Sequence, residues 1–145
     1  MEQPFSDQEQ VVDTMIALTR LSNLHRTIIA GTDSLKLYVA LRRRGFLRVA
    51  TIATCNVRRR EHSIGLIAGR NSLANIEAAL IEISRFLSNR AAIAILINAN
   101  EGEFSLKIRR KLEEMGFRIE AGVKCHQGLV LSAYRQGFAQ MEQAA

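Results

Sequence analysis

The sequence predicts an α/β fold in three layers, with helices on both faces of a mostly parallel sheet of about six strands. A C-terminal antiparallel hairpin ends the sheet, and an N-terminal amphipathic helix precedes it. Three observations carry this prediction. Residues 27–55 read as a short apolar strand, a polar corner, a helix and a second apolar strand. The stretch Leu66-Ile67-Ala68-Gly69-Arg70-Asn71-Ser72-Leu73 restates Ile28-Ile29-Ala30-Gly31-Thr32-Asp33-Ser34-Leu35. Ser105-Leu106-Lys107-Ile108, followed later by Gly116-Phe117, restates Ser34-Leu35-Lys36-Leu37 and Gly45-Phe46 at the same spacing. Strand, capped helix and strand in repetition build a parallel sheet with right-handed crossovers.

The elements follow in order. Residues 6–24 open with Ser6-Asp7-Gln8-Glu9, a capping box, with Phe5 placed as a hydrophobic staple. Val11, Val12, Met15, Ile16 and Leu18 then form one wide apolar stripe. Residues 27–30 are short and apolar on both faces, as a central parallel strand requires. Ser34 is the expected cap of the helix over 35–44, where Arg42, Arg43 and Arg44 complement the negative helix end. Gly45 closes that helix, and residues 49–54 form the second strand. Residues 63–68 form the third strand, and Ser72 caps a helix over 73–87, with Leu73, Ile76, Leu80, Ile83 and Leu87 at helical spacing. Residues 91–98 are the most apolar strand, expected near the sheet centre. Ser105 caps a helix over 106–115, which Gly116 closes. Residues 118–125 and 129–135 are joined by so few residues that they must be antiparallel. Residues 140–145 read as a frayed tail.

Bulk properties narrow the function classes. At 145 residues the chain suits one domain, residues 1–145, with 27–135 as its α/β core. Hydrophobic content of 48% and charged content of 23% are those of a soluble globular protein. Two cysteines, Cys55 and Cys125, without a CxxC pair, point to a reducing compartment, and a cytoplasmic location fits. The N-terminus is acidic and polar, so no signal peptide is expected. The apolar run 91–97 is too short to span a bilayer, so no membrane is expected as partner. Cys55, His62, Cys125 and His126 lack ligand-type spacing, so no metal is expected. The net charge of +6 leaves nucleic acid open as a partner, through Arg42, Arg43, Arg44, Arg58, Arg59 and Arg60. Aromatic content of 6% and the lack of a nucleic-acid-binding signature favour a solvated basic face instead.

The repeated corners all fall at the carboxyl edge of the predicted sheet, where open α/β folds bind small ligands near the point of strand-order reversal. The layout over residues 27–135 resembles the Rossmann-like, S-adenosylmethionine-dependent class I methyltransferases. Gly31 stands where that family has its glycine-rich loop. Leu41-Arg42-Arg43-Arg44-Gly45-Phe46-Leu47-Arg48-Val49 is similar to the link into its second strand, and Ser63-Ile64-Gly65-Leu66-Ile67-Ala68 to a strand that often begins with Asp. The segment 83–97 resembles the helix and strand usually joined by Pro-Gly-Gly, and 112–120 with 129–135 the closing helix and hairpin. The resemblance implies a cofactor site at Gly31, Thr32, Asp33, Ser34, Thr54, Cys55, Gly69 and Asn71, with S-adenosylmethionine as its ligand. It implies no catalytic residue by position, because no Asn-Pro-Pro-Tyr tetrapeptide is present.

The departures set the functional expectation. One glycine occupies the first corner where the family has two or three, and Thr32, Asp33 and Ser34 crowd the approach. Thr54 and Cys55 stand where an acid should meet the ribose. Too few residues separate the second strand from Ser63 to hold the family's intervening helix and strand. The expectation is a non-catalytic binding or regulatory homodimer with a degraded cofactor motif. The alternatives are an active small methyltransferase using Asp33 and Ser34, and a basic nucleic-acid-binding module. Asp33 itself reads first as an Asx-type turn residue. The N-terminal helix and an exposed sheet edge motivate the homodimer.

Overall fold

The computed structural model describes residues 6–54, 61–68, 72–97 and 102–135. Helix α1 (Ser6–Thr19) is followed by β1 (Thr27–Ala30), α2 (Ser34–Arg43), β2 (Val49–Thr51) and a 3-10 turn (Ile52–Thr54). Then come β3 (His62–Ile67), α3 (Leu73–Ser84), β4 (Leu87–Ile97), α4 (Gly102–Glu114), β5 (Phe117–Cys125) and β6 (Gly128–Arg135). The sheet order is β2-β1-β3-β4-β6-β5. The pairs β2–β1, β1–β3 and β3–β4 are parallel, and β6 runs antiparallel to both β4 and β5. The order reverses between β1 and β3, where Ile28 pairs with Ala50 on one side and Gly65 on the other.

The predicted three layers follow from which side chains each face buries. Helices α1 and α2 place Val11, Val12, Met15, Leu37 and Leu41 against Ile29, Ile64, Leu66 and Leu96. Helices α3 and α4 place Ile76, Leu80, Ile83, Ile108 and Leu112 against Ile28, Ile67, Ile93 and Ile95. Each such buried side chain contributes about 1.5–3 kcal/mol. The stripe of α1 therefore lies on its own sheet, and the dimer motive drawn from it falls away. Arg44 holds α1 to α2 by donating to Glu9 at 2.8 Å and to Asp13.

Several boundaries differ from the predicted ones. Helix α1 stops at Thr19, where Arg20 takes a φ of 55° and a polar turn follows. In that turn the Ser22 N–H donates to His25 Nδ1 at 3.1 Å. Strand β2 ends at Thr51, where its neighbour β1 turns away at Gly31. Strand β4 begins at Leu87 rather than 91, since Leu87 pairs with His62 of β3. Helix α4 starts at Gly102, which puts Ser105 inside it. The cap of α2 is Asp33, with Ser34 as the first helical residue, and the Asp33 side chain makes no cap bond. Ser72 does cap α3, accepting from the Asn75 N–H at 3.2 Å. Gly45 closes α2 with φ +93°, and the N–H groups of Gly45 and Phe46 donate to Arg42 and Leu41.

Candidate functional site at the carboxyl edge

The first corner is built by one close approach. Strand β1 ends at Ala30, and Gly31 turns the chain with a φ of +106° across the end of β3. A β-carbon on Gly31 would stand 2.1 Å from the Ala68 carbonyl oxygen. That oxygen accepts from the Asp33 N–H at 3.3 Å, while the Ala68 N–H donates to Ala30 at 3.2 Å. The Ser34 N–H donates back to the Gly31 carbonyl at 3.3 Å, and the Leu37 N–H to Asp33 at 3.1 Å. The corner therefore lies bonded against β3 at the point of strand-order reversal.

Gly31, Thr32, Asp33 and Ser34 are brought together there, with Thr32 exposed and the others half-buried. The backbone of Thr54 ends the 3-10 turn after β2, at the same sheet edge. Cys55, Gly69 and Asn71 lie outside the described residues, as do Arg58, Arg59, Arg60 and the side chain of Ser6. The tip of β2 presents Thr51, which is buried, and Ile52. No acidic residue occurs from 46 to 60, so the described tip offers no carboxylate to a sugar hydroxyl.

The three consecutive arginines at the end of α2, Arg42 and Arg43 within it and Arg44 as its cap, go different ways, because successive helical residues are turned by about 100°. Arg44 is engaged with α1. Arg42 donates to the Leu47 carbonyl at 3.2 Å and lies over the Tyr38 ring. Arg43 lines a groove beside α1. Among the described residues no group of three or more His, Cys, Asp or Glu is placed to hold a metal ion. No helix among them is long and apolar enough to cross a membrane.

No family model and no curated protein matches the chain. Solved structures do. A release-factor-specific protein-(glutamine-N5) methyltransferase from Alicyclobacillus acidocaldarius is 17% identical, with a TM-score of 0.58 over 94% of each chain. A Burkholderia thailandensis 1,6-didemethyltoxoflavin-N1-methyltransferase, solved with bound S-adenosylhomocysteine, is 12% identical, with a TM-score of 0.62 over 92% of this chain and 80% of the other. A precorrin-6y C5,15-methyltransferase from Geobacter metallireducens is 12% identical, with a TM-score of 0.61 over 94% of this chain and 93% of the other. The fold is that of the class I methyltransferases. At these identities the likeness is one of architecture.

Two residues have structural roles that sequence reasoning did not assign: Arg135 read only as the end of a strand, and His62 was weighed only as a metal ligand. Arg135, at the end of β6, reaches three main-chain carbonyls. His62 is 2% exposed at the amino end of β3, on the edge opposite the corner. It packs edge-to-face on Phe86. Burial pushes the His62 imidazole below its ordinary 6.5, assisted by Arg26 and opposed by a bond to the Phe86 main chain and by Glu61. The unfolded chain therefore takes up this proton first as pH falls. The His62 contribution to stability is full above about pH 6.5 and is lost as pH falls through the depressed folded value. Urea unfolding from pH 8 to pH 5 is expected to show that loss in the parent and a flatter profile in His62→Phe. Superimposable profiles would remove the assignment.

Proposed function

We propose that this chain is a methyltransferase-like module that has lost its cofactor site and acts by binding rather than by catalysis. The observation that supports this best is the Gly31 corner. In a working site of this fold class, a glycine-rich corner lets the main chain approach the cofactor. Here the open side of Gly31 faces the carbonyl oxygen of Ala68 instead. Thr32 and Asp33 add side chains to the same corner, and the described tip of β2 carries no acid. Among the described residues the fit to S-adenosylmethionine is poor.

Calorimetric titration of the purified protein with S-adenosylmethionine and S-adenosylhomocysteine tests the reading. No heat of binding is expected, at more than one temperature, from a sample free of co-purified ligand. Micromolar binding would overturn it and favour an active small methyltransferase that uses Asp33 and Ser34. The proposal also carries a homodimer, now resting on the nine-residue edge strand β5 alone. Sedimentation at micromolar concentration should give twice the chain mass, and a monomer removes that part.

A further inference from the structure

Helix α2 carries two apolar ridges, although a helix in a layered fold needs one. Leu37 and Leu41 are 3% and 0% exposed and face the sheet. Leu35 and Val39, also four residues apart, are 68% and 39% exposed and face outward. They lie in an open groove of about 950 Å³ that α2 forms with α1, lined also by Glu9, Lys36, Arg43 and Arg44. Glu9, the single acid of that lining among the described residues, is already held by Arg44 at 2.8 Å, and Asp13 binds the same guanidinium. Among the described residues, the positive charge of Lys36 and Arg43 is thus left unmatched within the groove.

We infer that this groove is a docking site for an acidic amphipathic helix of another protein, with its apolar ridge seated on Leu35 and Val39 and its carboxylates beside Lys36 and Arg43. An apolar floor with a charged rim is how helix-in-groove recognition works, and the rim charge selects the partner's sign. A second copy of α2 does not suit the groove, because it would bring its own Lys36 and Arg43 onto the same cations. A lipid surface does not suit it either, since a plane cannot fill a concavity between two helices. The inference rests on the reading of the chain as a binding module.

The probe is a fluorescein-labelled helical peptide of about four turns, with leucines at the i, i+3, i+4 and i+7 positions and glutamates elsewhere. A control peptide carries lysines in place of the glutamates. The full chain is expected to bind the glutamate peptide at least about tenfold more tightly than the control, and less tightly as salt rises. Leu35→Ser with Val39→Ser, and separately Arg43→Glu, should each weaken binding by about tenfold or more. The serine pair, outside the core, should leave the unfolding midpoint unchanged, and Arg43→Glu should lower it only slightly, through the helix-end charge it reverses. Four results would each overturn the inference. These are no binding of the glutamate peptide, equal binding of the two peptides, full affinity in the variants, and binding to phosphatidylglycerol vesicles but to neither peptide. A dimer that Val39→Glu dissociates would make a second copy the occupant and overturn it as well. S-adenosylhomocysteine binding by the same sample, with the peptide results unchanged, would sink the cofactor-loss reading and leave the groove standing.

Discussion

Gly31→Ala is expected to cost about 3–5 kcal/mol of unfolding free energy, the largest loss from adding a single methyl group at any described glycine. Two penalties combine. A φ of +106° is a strained backbone for any residue with a β-carbon, and relieving or bearing that strain costs about 1–3 kcal/mol. The new methyl would also stand 2.1 Å from the Ala68 carbonyl oxygen. That obstacle is main chain, so no side-chain rotation relieves it. The corner must lift, and the Asp33-to-Ala68 bond goes with it. Gly45→Ala is the matched control, because Gly45 has a φ of +93° and nothing within 4 Å of its added carbon. It should lose only the strain, about 1–2 kcal/mol. Urea unfolding of both variants separates the two effects. Equal losses would mean that the close approach at Ala68 contributes nothing.

This comparison bears on function as well as stability. The one glycine in the first corner is accounted for by packing of the chain against itself. No ligand is needed to explain it. On the proposed reading, the positions where a cofactor would need further backbone access carry Thr32 and Asp33 instead. Asp33 also ties the corner to its surroundings, since its N–H donates to the Ala68 carbonyl just past the end of β3 and its carbonyl accepts from the Leu37 N–H of α2.

The layers and strand directions were legible because they depend on local period and on residue counts. The apolar runs alternate with capped amphipathic segments, and the distance from Thr51 to His62 has no room for another helix and strand. The caps were less legible. Serine is a good cap wherever it falls, but the backbone angles chose Asp33 over Ser34 and placed Ser105 inside α4. The α3–β4 boundary misled for a different reason. Leu87 continues the helical spacing of Leu73, Ile76, Leu80 and Ile83, yet it is buried as a strand residue paired with His62. In the candidate site, Gly31 was visible as a corner glycine. Its partner Ala68 was not, because that contact exists only once β1 and β3 are adjacent in the sheet. The outward ridge of Leu35 and Val39 was hidden too, since the sequence reads Leu35, Leu37, Val39, Ala40 and Leu41 as a single apolar side, whereas the sheet buries Leu37 and Leu41 and leaves Leu35 and Val39 exposed.

Arg135→Ala should produce the second large effect, a loss of about 2–4 kcal/mol, by releasing the turn between α3 and β4. The Arg135 guanidinium lies over the Phe117 ring, 4.8 Å from its centroid. One amino group donates to the carbonyls of Leu87 at 2.9 Å and Ser88 at 3.3 Å, and the other to that of Ser84 at 3.4 Å. Ser84 is the last residue of α3, so its carbonyl belongs to the negative end of the helix and has no partner within it. One planar cation therefore ends the helix, starts the strand and joins both to the edge hairpin. A turn of only Arg85 and Phe86 is thereby held closed. Arg135→Lys should recover less than half of the loss, because a single ammonium cannot span three carbonyls while lying flat on a ring. Arg85→Ala, exposed in the same turn, should change stability by less than about 0.5 kcal/mol. Amide exchange at residues 84–88 should quicken in Arg135→Ala before the rest of the sheet does. If the alanine variant instead unfolds within about 0.5 kcal/mol of the parent, the turn is held by the burial of Ile83 and Leu87 alone.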